Sequence, residues 1–152
     1  MKLKTLLLGS LSAFLLLGWL GAPSAVAFDG DDEEESVIHE SMETLMGNFM
    51  PLRRALGAED AAAALGHVVA MQGATFAAKG EVPPLAGEQP EADRAAYVRG
   101  YRESMIDLMD QLLELERAVL DEDWDTANGI LREGLAGIRD AGHQRYKPQR
   151  RW

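Results

Sequence analysis

The stretch SVIHESMETLMGNFMPLRRAL, from Ser36 to Leu56, decides the fold. Its apolar residues Ile38, Met42, Leu45, Phe49, Leu52 and Leu56 recur at alternating spacings of four and three, which gathers them on one face of an α-helix. Such a stripe is the seam of a helix packed in a bundle. Gly57 is placed to end it.

Downstream, three more segments carry helical periodicity. From about Glu59 to Lys79 the chain is rich in alanine and puts Ala64, Val68, Met71, Thr75 and Ala78 on one face, small enough for a neighbour to approach closely. Gly80, Pro83, Pro84, Gly87 and Pro90 then break the pattern. The third segment, Pro90 to Leu120, opens with proline at a first-turn position and carries Tyr97, Tyr101, Met105, Leu108, Leu112, Leu115 and Val119. The fourth, Asp125 to Tyr146, presents Ala127, Leu131, Leu135, Ile138 and Gly142 before Pro148 stops it. No strand-like alternation occurs. The short connections after the first and third segments make those pairs antiparallel, so the expected fold is all-α, an up-down-up-down four-helix bundle.

Upstream, Lys2 and Lys4 precede an apolar run from Leu6 to Leu20 and the small-residue site Ala25-Val26-Ala27, the pattern of a secretory signal peptide over residues 1–27. The run approaches the roughly 20 residues that span a bilayer, but the small residues at 25 and 27 favour cleavage after Ala27. No cysteine offers a lipid anchor. The expected organisation is an acidic leader over 28–35, a helical domain over 36–147 and a short tail over 148–152, in a periplasmic protein. Cleavage removes Lys2 and Lys4 and no acidic residue, so 13 basic against 25 acidic side chains leave a charge of −12. That balance argues against nucleic acid and anionic membrane surfaces. The absence of cysteine excludes disulfides, thioether-attached haem, an iron–sulfur cluster and a thiol nucleophile.

In the expected topology the start of the first helix and the end of the fourth lie together. Met42, about six residues into its helix and so roughly 9 Å along it, then faces His143 at similar depth, with Met71, the Pro83-Pro84 loop, Tyr97 and Tyr101 nearby. A flat apolar ligand fits such a constellation. A soft thioether with a neutral imidazole suits haem iron and favours a raised potential, and two axial ligands leave outer-sphere electron transfer as the chemistry. Arg139, Arg145 and Lys147 flank His143, and Arg99 comes from the third helix; all are candidates to pair with haem propionates.

Met42-Glu43-Thr44-Leu45 near the start of the first helix and His143-Gln144-Arg145-Tyr146 at the end of the fourth, with the lengths between them, resemble the periplasmic cytochrome b562 family from about Val37 to Lys147. The resemblance implies one non-covalent haem b per chain, with Met42 and His143 as iron ligands. It further implies pocket positions at Leu45, Phe49, Met71 and Pro84, and a haem-packing aromatic pair at Tyr97 and Tyr101. That pair is normally phenylalanine in the family, so two hydroxyls here must find partners or reach solvent. Related c-type bundles carry a Cys-x-x-Cys-His motif in the last helix, where Arg139 and Gly142 stand instead. The expected partners are redox proteins with basic docking surfaces, without stable membrane association after cleavage, and the expected state is a monomer.

Other readings remain beside this one. A methionine at a seam position is ordinarily core filling, and a histidine in a last helical turn is favoured by the dipole alone. His39 is a rival ligand on a neighbouring face, His67 suits a surface or satisfied core role, and Met105 and Met109 belong to a leucine stripe. The main alternative is a haem-free periplasmic bundle that binds a metal or a protein as a stress module. A carboxylate-bridged di-metal enzyme needs two Glu-x-x-His pairs, whereas Ser36, Ala64 and Asp140 stand three residues before the three histidines. No catalytic motif is visible, so the chain is not expected to be an enzyme.

Overall fold

Helix propensity and capping set the elements. The computed structural model describes residues 31–146, with side chains from Val37 onward. The signal peptide and its cleavage site, Pro148 and the tail lie outside those residues. The first helix, α1, spans Asp31–Gly57. It begins ahead of the expected Ser36, because acidic residue types favour a first helical turn. From Asp31, Met42 therefore lies about 17 Å along the helix rather than 9 Å, at 1.5 Å per residue. Pro51 stands inside α1 and has no N–H to donate to the preceding turn.

Two tight turns share one construction. Glu59 and Glu122 both have φ 55°. After α1, the Asp60 N–H donates to Ala55 O at 3.0 Å and the Glu59 N–H to Leu56 O at 3.2 Å. After the third helix, the Asp123 N–H donates to Ala118 O at 2.8 Å and the Glu122 N–H to Val119 O at 3.1 Å. Each is a Schellman closure with glutamate at the left-handed position. Gly57 is thus the last helical residue and not the turn residue expected of it. The aspartate after each glutamate caps the next helix, Asp60 accepting from the Ala63 N–H and Asp123 from the Thr126 N–H.

The second helix, α2, spans Ala61–Gly80; a single 3-10 turn, Pro84–Ala86, interrupts the loop; and α3 spans Glu91–Leu120 with Pro90 at its N-cap. The fourth helix is not regular. It is α-helical over Trp124–Gly129 (α4), π-helical over Ile130–Leu135, and α-helical again over Ala136–Tyr146 (α5). Gly129 and Gly134, poor helix formers, stand at the ends of the π stretch. All described structure is helical, and no strand occurs among the described residues. The protein is all-α, with four helices.

Packing follows the apolar stripes. Helix α1 lies on α2, α2 on α3, and α3 on all three parts of the fourth helix, while α1 meets the fourth helix chiefly at α4. Leu52, Leu56, Val68, Leu112, Leu115, Val119 and Leu131 are sealed inside. At about 25 cal/mol per Å² of apolar surface, these side chains dominate the stability of the fold. Polar links fix the helices laterally: His67 Nδ1 and Asn48 Oδ1 are hydrogen-bonded at 2.8 Å, Gln72 Nε2 donates to Glu116 Oε2 at 2.7 Å, and the Tyr101 hydroxyl donates to Ala78 O at 3.1 Å.

Candidate functional site

Along the α1 seam burial is interrupted between the sealed Leu52 and the buried Ile38 and Ser41. Leu52 and Leu56 are 0% and 1% exposed, whereas Phe49, Leu45 and Met42 are half-buried against the edge of the core. The fourth helix behaves alike: Ala127, Leu131 and Leu135 are buried, Ile138 and Gly142 are half-exposed, and His143 is exposed in the last turn. Both seams uncover past an irregularity of hydrogen bonding, Pro51 in α1 and the π stretch in the fourth helix. A proline removes a helical hydrogen bond, and a π turn carries one extra residue per closure, so neither helix need stay parallel to its partner beyond that level. The Arg139 guanidinium lies 5.7 Å from the Phe49 ring and bridges α5 to α1 there, while also pairing with Asp140 at 2.8 Å.

Three tyrosines pack together between α3 and α5. Tyr97 and Tyr101, one turn apart on α3, each meet Tyr146 of α5 edge-to-face, with ring centroids 5.1 and 5.4 Å away. The Tyr97 hydroxyl donates to Arg145 O at 3.0 Å and the Tyr101 hydroxyl to Ala78 O. Both phenols thus find the partners their burial demands. Burial raises the Tyr101 pKa to about 12, with Glu81 adding to the rise. Tyr97 is raised chiefly by burial and further by Tyr146, with Arg145 opposing. Tyr146 Oη is buried and has no hydrogen-bond partner among the described residues. It sits against Gly100, where a Cβ would stand 3.0 Å from that oxygen and 3.3 Å from the Arg145 guanidinium. Gly100 is therefore a close-approach glycine: a Cβ there would require the Tyr146 hydroxyl and the Arg145 guanidinium to give by a few tenths of an ångström.

The remaining expected residues divide. Met71 is buried in the core. Pro84 is exposed, and Pro83 goes inside in its place, because Pro84 opens the 3-10 turn while extended Pro83 leads into the core. Arg145 lies over the Tyr146 ring, its guanidinium carbon 5.4 Å from the centroid, at the edge of the aromatic cluster. Arg99 is committed to Glu103 at 2.8 Å on the solvent side of α3. His39 is exposed, 3.3 Å from Glu43, and His67 is held by Asn48. The sequence reading passed over Gly100 and gave Tyr146 no role; a glycine inside a helix between two tyrosines was the available signal.

The residue types a haem b would need are present: a half-uncovered apolar strip with a thioether on α1, an imidazole in the last turn of α5, an aromatic cluster between α3 and α5, and Arg139 and Arg145 on α5. Among the described residues no group of three or more His, Cys, Asp or Glu side chains could hold a metal ion by itself. Compared with protein-family models and with curated proteins, the chain matches none.

Proposed function

We propose that the chain is an exported haem-b protein that carries single electrons, built as an antiparallel up-down-up-down bundle with Met42 and His143 as axial ligands. The observation that carries the reading is the paired uncovering of the Met42-Leu45-Phe49 strip and the Ile138-to-His143 end of the fourth helix. Apolar side chains that line a seam and are left half-wet lose part of their burial energy unless something covers them. Support for the antiparallel course comes from the polar links: α2 residues 72 and 78 meet α3 at 116 and 101 in reverse order.

When bound, the haem supplies one-electron exchange between ferric and ferrous iron. The chain's own groups define the setting. Met42 offers a soft sulfur, which favours the reduced metal, and His143 offers an imidazole that tolerates both states. Met42 and His143 would both hold the group, which would leave electron transfer and no enzyme activity as its task. Tyr97, Tyr101 and Tyr146 would shield it from water, and Arg145 and Arg139 would offer positive charge to its propionates. The acidic surface suits redox partners with basic docking faces, and the N-terminal pattern suits export to the periplasm.

The test is a hemin titration of the protein purified after expression of the full chain, with visible spectra before and after dithionite, for wild type, Met42→Ala and His143→Ala. Saturation at one haem per chain, with sharp low-spin bands that each variant loses, is the expected result. At 100-fold excess over the dissociation constant, haem also adds about 2.7 kcal/mol of stability. Weak binding that neither substitution alters sinks the cytochrome reading in favour of a haem-free bundle that binds a metal or a protein.

A further inference from the structure

Helix α3 carries two apolar stripes. The inner one, Tyr101, Met105, Leu108, Leu112, Leu115 and Val119, is the core. A second stripe stands one residue further along the chain at every step: Arg102, Ile106, Met109, Leu113, Glu116 and Leu120, with the same alternating spacing of four and three. That is the spacing of a helix-to-helix seam, yet its large apolar side chains Ile106, Leu113 and Leu120 stay exposed among the described residues. Ile106 and Leu113 are 43% and 37% exposed, and Phe76 and Val69 on the adjoining face of α2 are 68% and 55% exposed.

These residues join into one patch. Gln72 of α2 donates to Glu116 Oε2, which ties the Val69 level of α2 to the far part of the stripe, and Phe76 shares a surface groove with Arg102 at the near part. Between Val69 and Phe76 stands Gly73, above which a Cβ would meet nothing within 4 Å. The seventeen residues from Ala61 to Ala77 contain no Asp, Glu, Lys or Arg. A contiguous apolar patch of this kind on a water-exposed helix pair marks an interaction surface.

We propose that this α2–α3 face pairs with the same face of a second copy of the chain about a two-fold axis near Met109. The charges select that occupant. Arg102 and Lys79 make the near end basic, whereas the far end of the stripe carries Glu116, with Arg117 flanking it further from the stripe. In a two-fold arrangement each surface meets itself reversed, so antiparallel α3 helices bring Arg102 of one copy opposite Glu116 of the other and Ile106 opposite Leu113. A parallel pairing would set like charges together. The monomer expected from the sequence left this outer stripe out of account. The candidate haem site lies elsewhere, at the parting of α1 and α5, so this inference does not depend on the haem reading.

Sedimentation velocity on the product of the full chain, over micromolar to hundred-micromolar concentration, tests it. Wild type is expected to sediment as a dimer at the upper end of that range. Ile106→Glu, at an exposed position that leaves the core stripe intact, is expected to weaken association at least 100-fold with an unchanged circular dichroism spectrum. Arg102→Glu alone and Glu116→Arg alone weaken it as well, and the two together restore it. A wild type that stays monomeric throughout overturns the proposal. A dimer indifferent to Ile106→Glu and to the charge exchange overturns it too, because a different face then mediates the contact.

Discussion

The bundle differs sharply between the region of its two tight turns and the region of its three tyrosines. Around the turns, Leu52, Leu56, Leu112, Leu115 and Leu131 from three helices are sealed from solvent. Elsewhere on the same stripes methionine, phenylalanine and isoleucine stand half-uncovered, and the cluster between α3 and α5 contains phenols, a glycine contact and a hydroxyl with no hydrogen-bond partner among the described residues. One region is closed and the other is left partly open. A uniform bundle would have sealed both.

The largest expected effect of that contrast is on truncation. Leu56→Ala or Leu112→Ala should cost about 2–5 kcal/mol, the range for emptying a closed core. Leu45→Ala, beside solvent in the absence of ligand, should cost well under half as much in urea melts. If hemin is added, the Leu45 variant should lose more of the ligand-induced stabilisation than either core variant. Equal costs at Leu45 and Leu56 in the ligand-free protein would break the distinction between the regions.

Next in size is the loss of a buried hydrogen bond. Tyr101→Phe removes the donor to Ala78 O and should cost about 1 kcal/mol. The same hydroxyl ties stability to pH. Its folded pKa of about 12 lies above the usual 10.0, so the native state holds its proton where the unfolded chain has released it. Stability is therefore undiminished below pH 10 and falls as pH rises from 10 to 12. Denaturant midpoints across that range, compared between wild type and Tyr101→Phe, should show a shallower fall in the variant.

Smallest, and of opposite sign, is the change at Tyr146. Deleting a buried hydroxyl with no partner relieves a desolvation cost, so Tyr146→Phe should be neutral or slightly stabilising. Gly100→Ala should gain up to about 1 kcal/mol in helix propensity, offset by the approach of the new Cβ to Tyr146 Oη. In the Tyr146→Phe background the clash is gone and the gain should appear. A double-mutant cycle that gives no coupling between the two positions would remove Gly100 from the site.

Much of this was legible in the chain. The apolar spacing marks all four helices, and Tyr97 and Tyr101 fall on the buried stripe that it predicts for α3. The capping roles of Asp60 and Asp123 emerge only with the turns that precede them. Less legible was the end of each helix before a tight turn. Glutamate at φ 55° is disfavoured locally, and it is tolerated because the Schellman hydrogen bonds and the cap that follows over-determine the turn. The exchange of Pro84 for Pro83 in the interior was equally hidden, since two adjacent prolines carry the same local preferences and only the packing of the loop on α2 and α3 separates them.

The sequence by itself determined that the described chain is helical, which face of each helix is apolar, and which two soft or basic donors stand near its ends, because those follow from periodicity and residue chemistry. Only the tertiary structure decided that Met42, Leu45 and Phe49 stay half-buried between Ile38 and Leu52, that Ile138 and Gly142 do so between Leu135 and Tyr146, and that Tyr146 comes against Gly100. It also decided that α3 leaves a second seam uncovered. The reason is geometric: periodicity tells which residues share a face, whereas the distance between two faces depends on Pro51, the π stretch and the neighbours packed behind them.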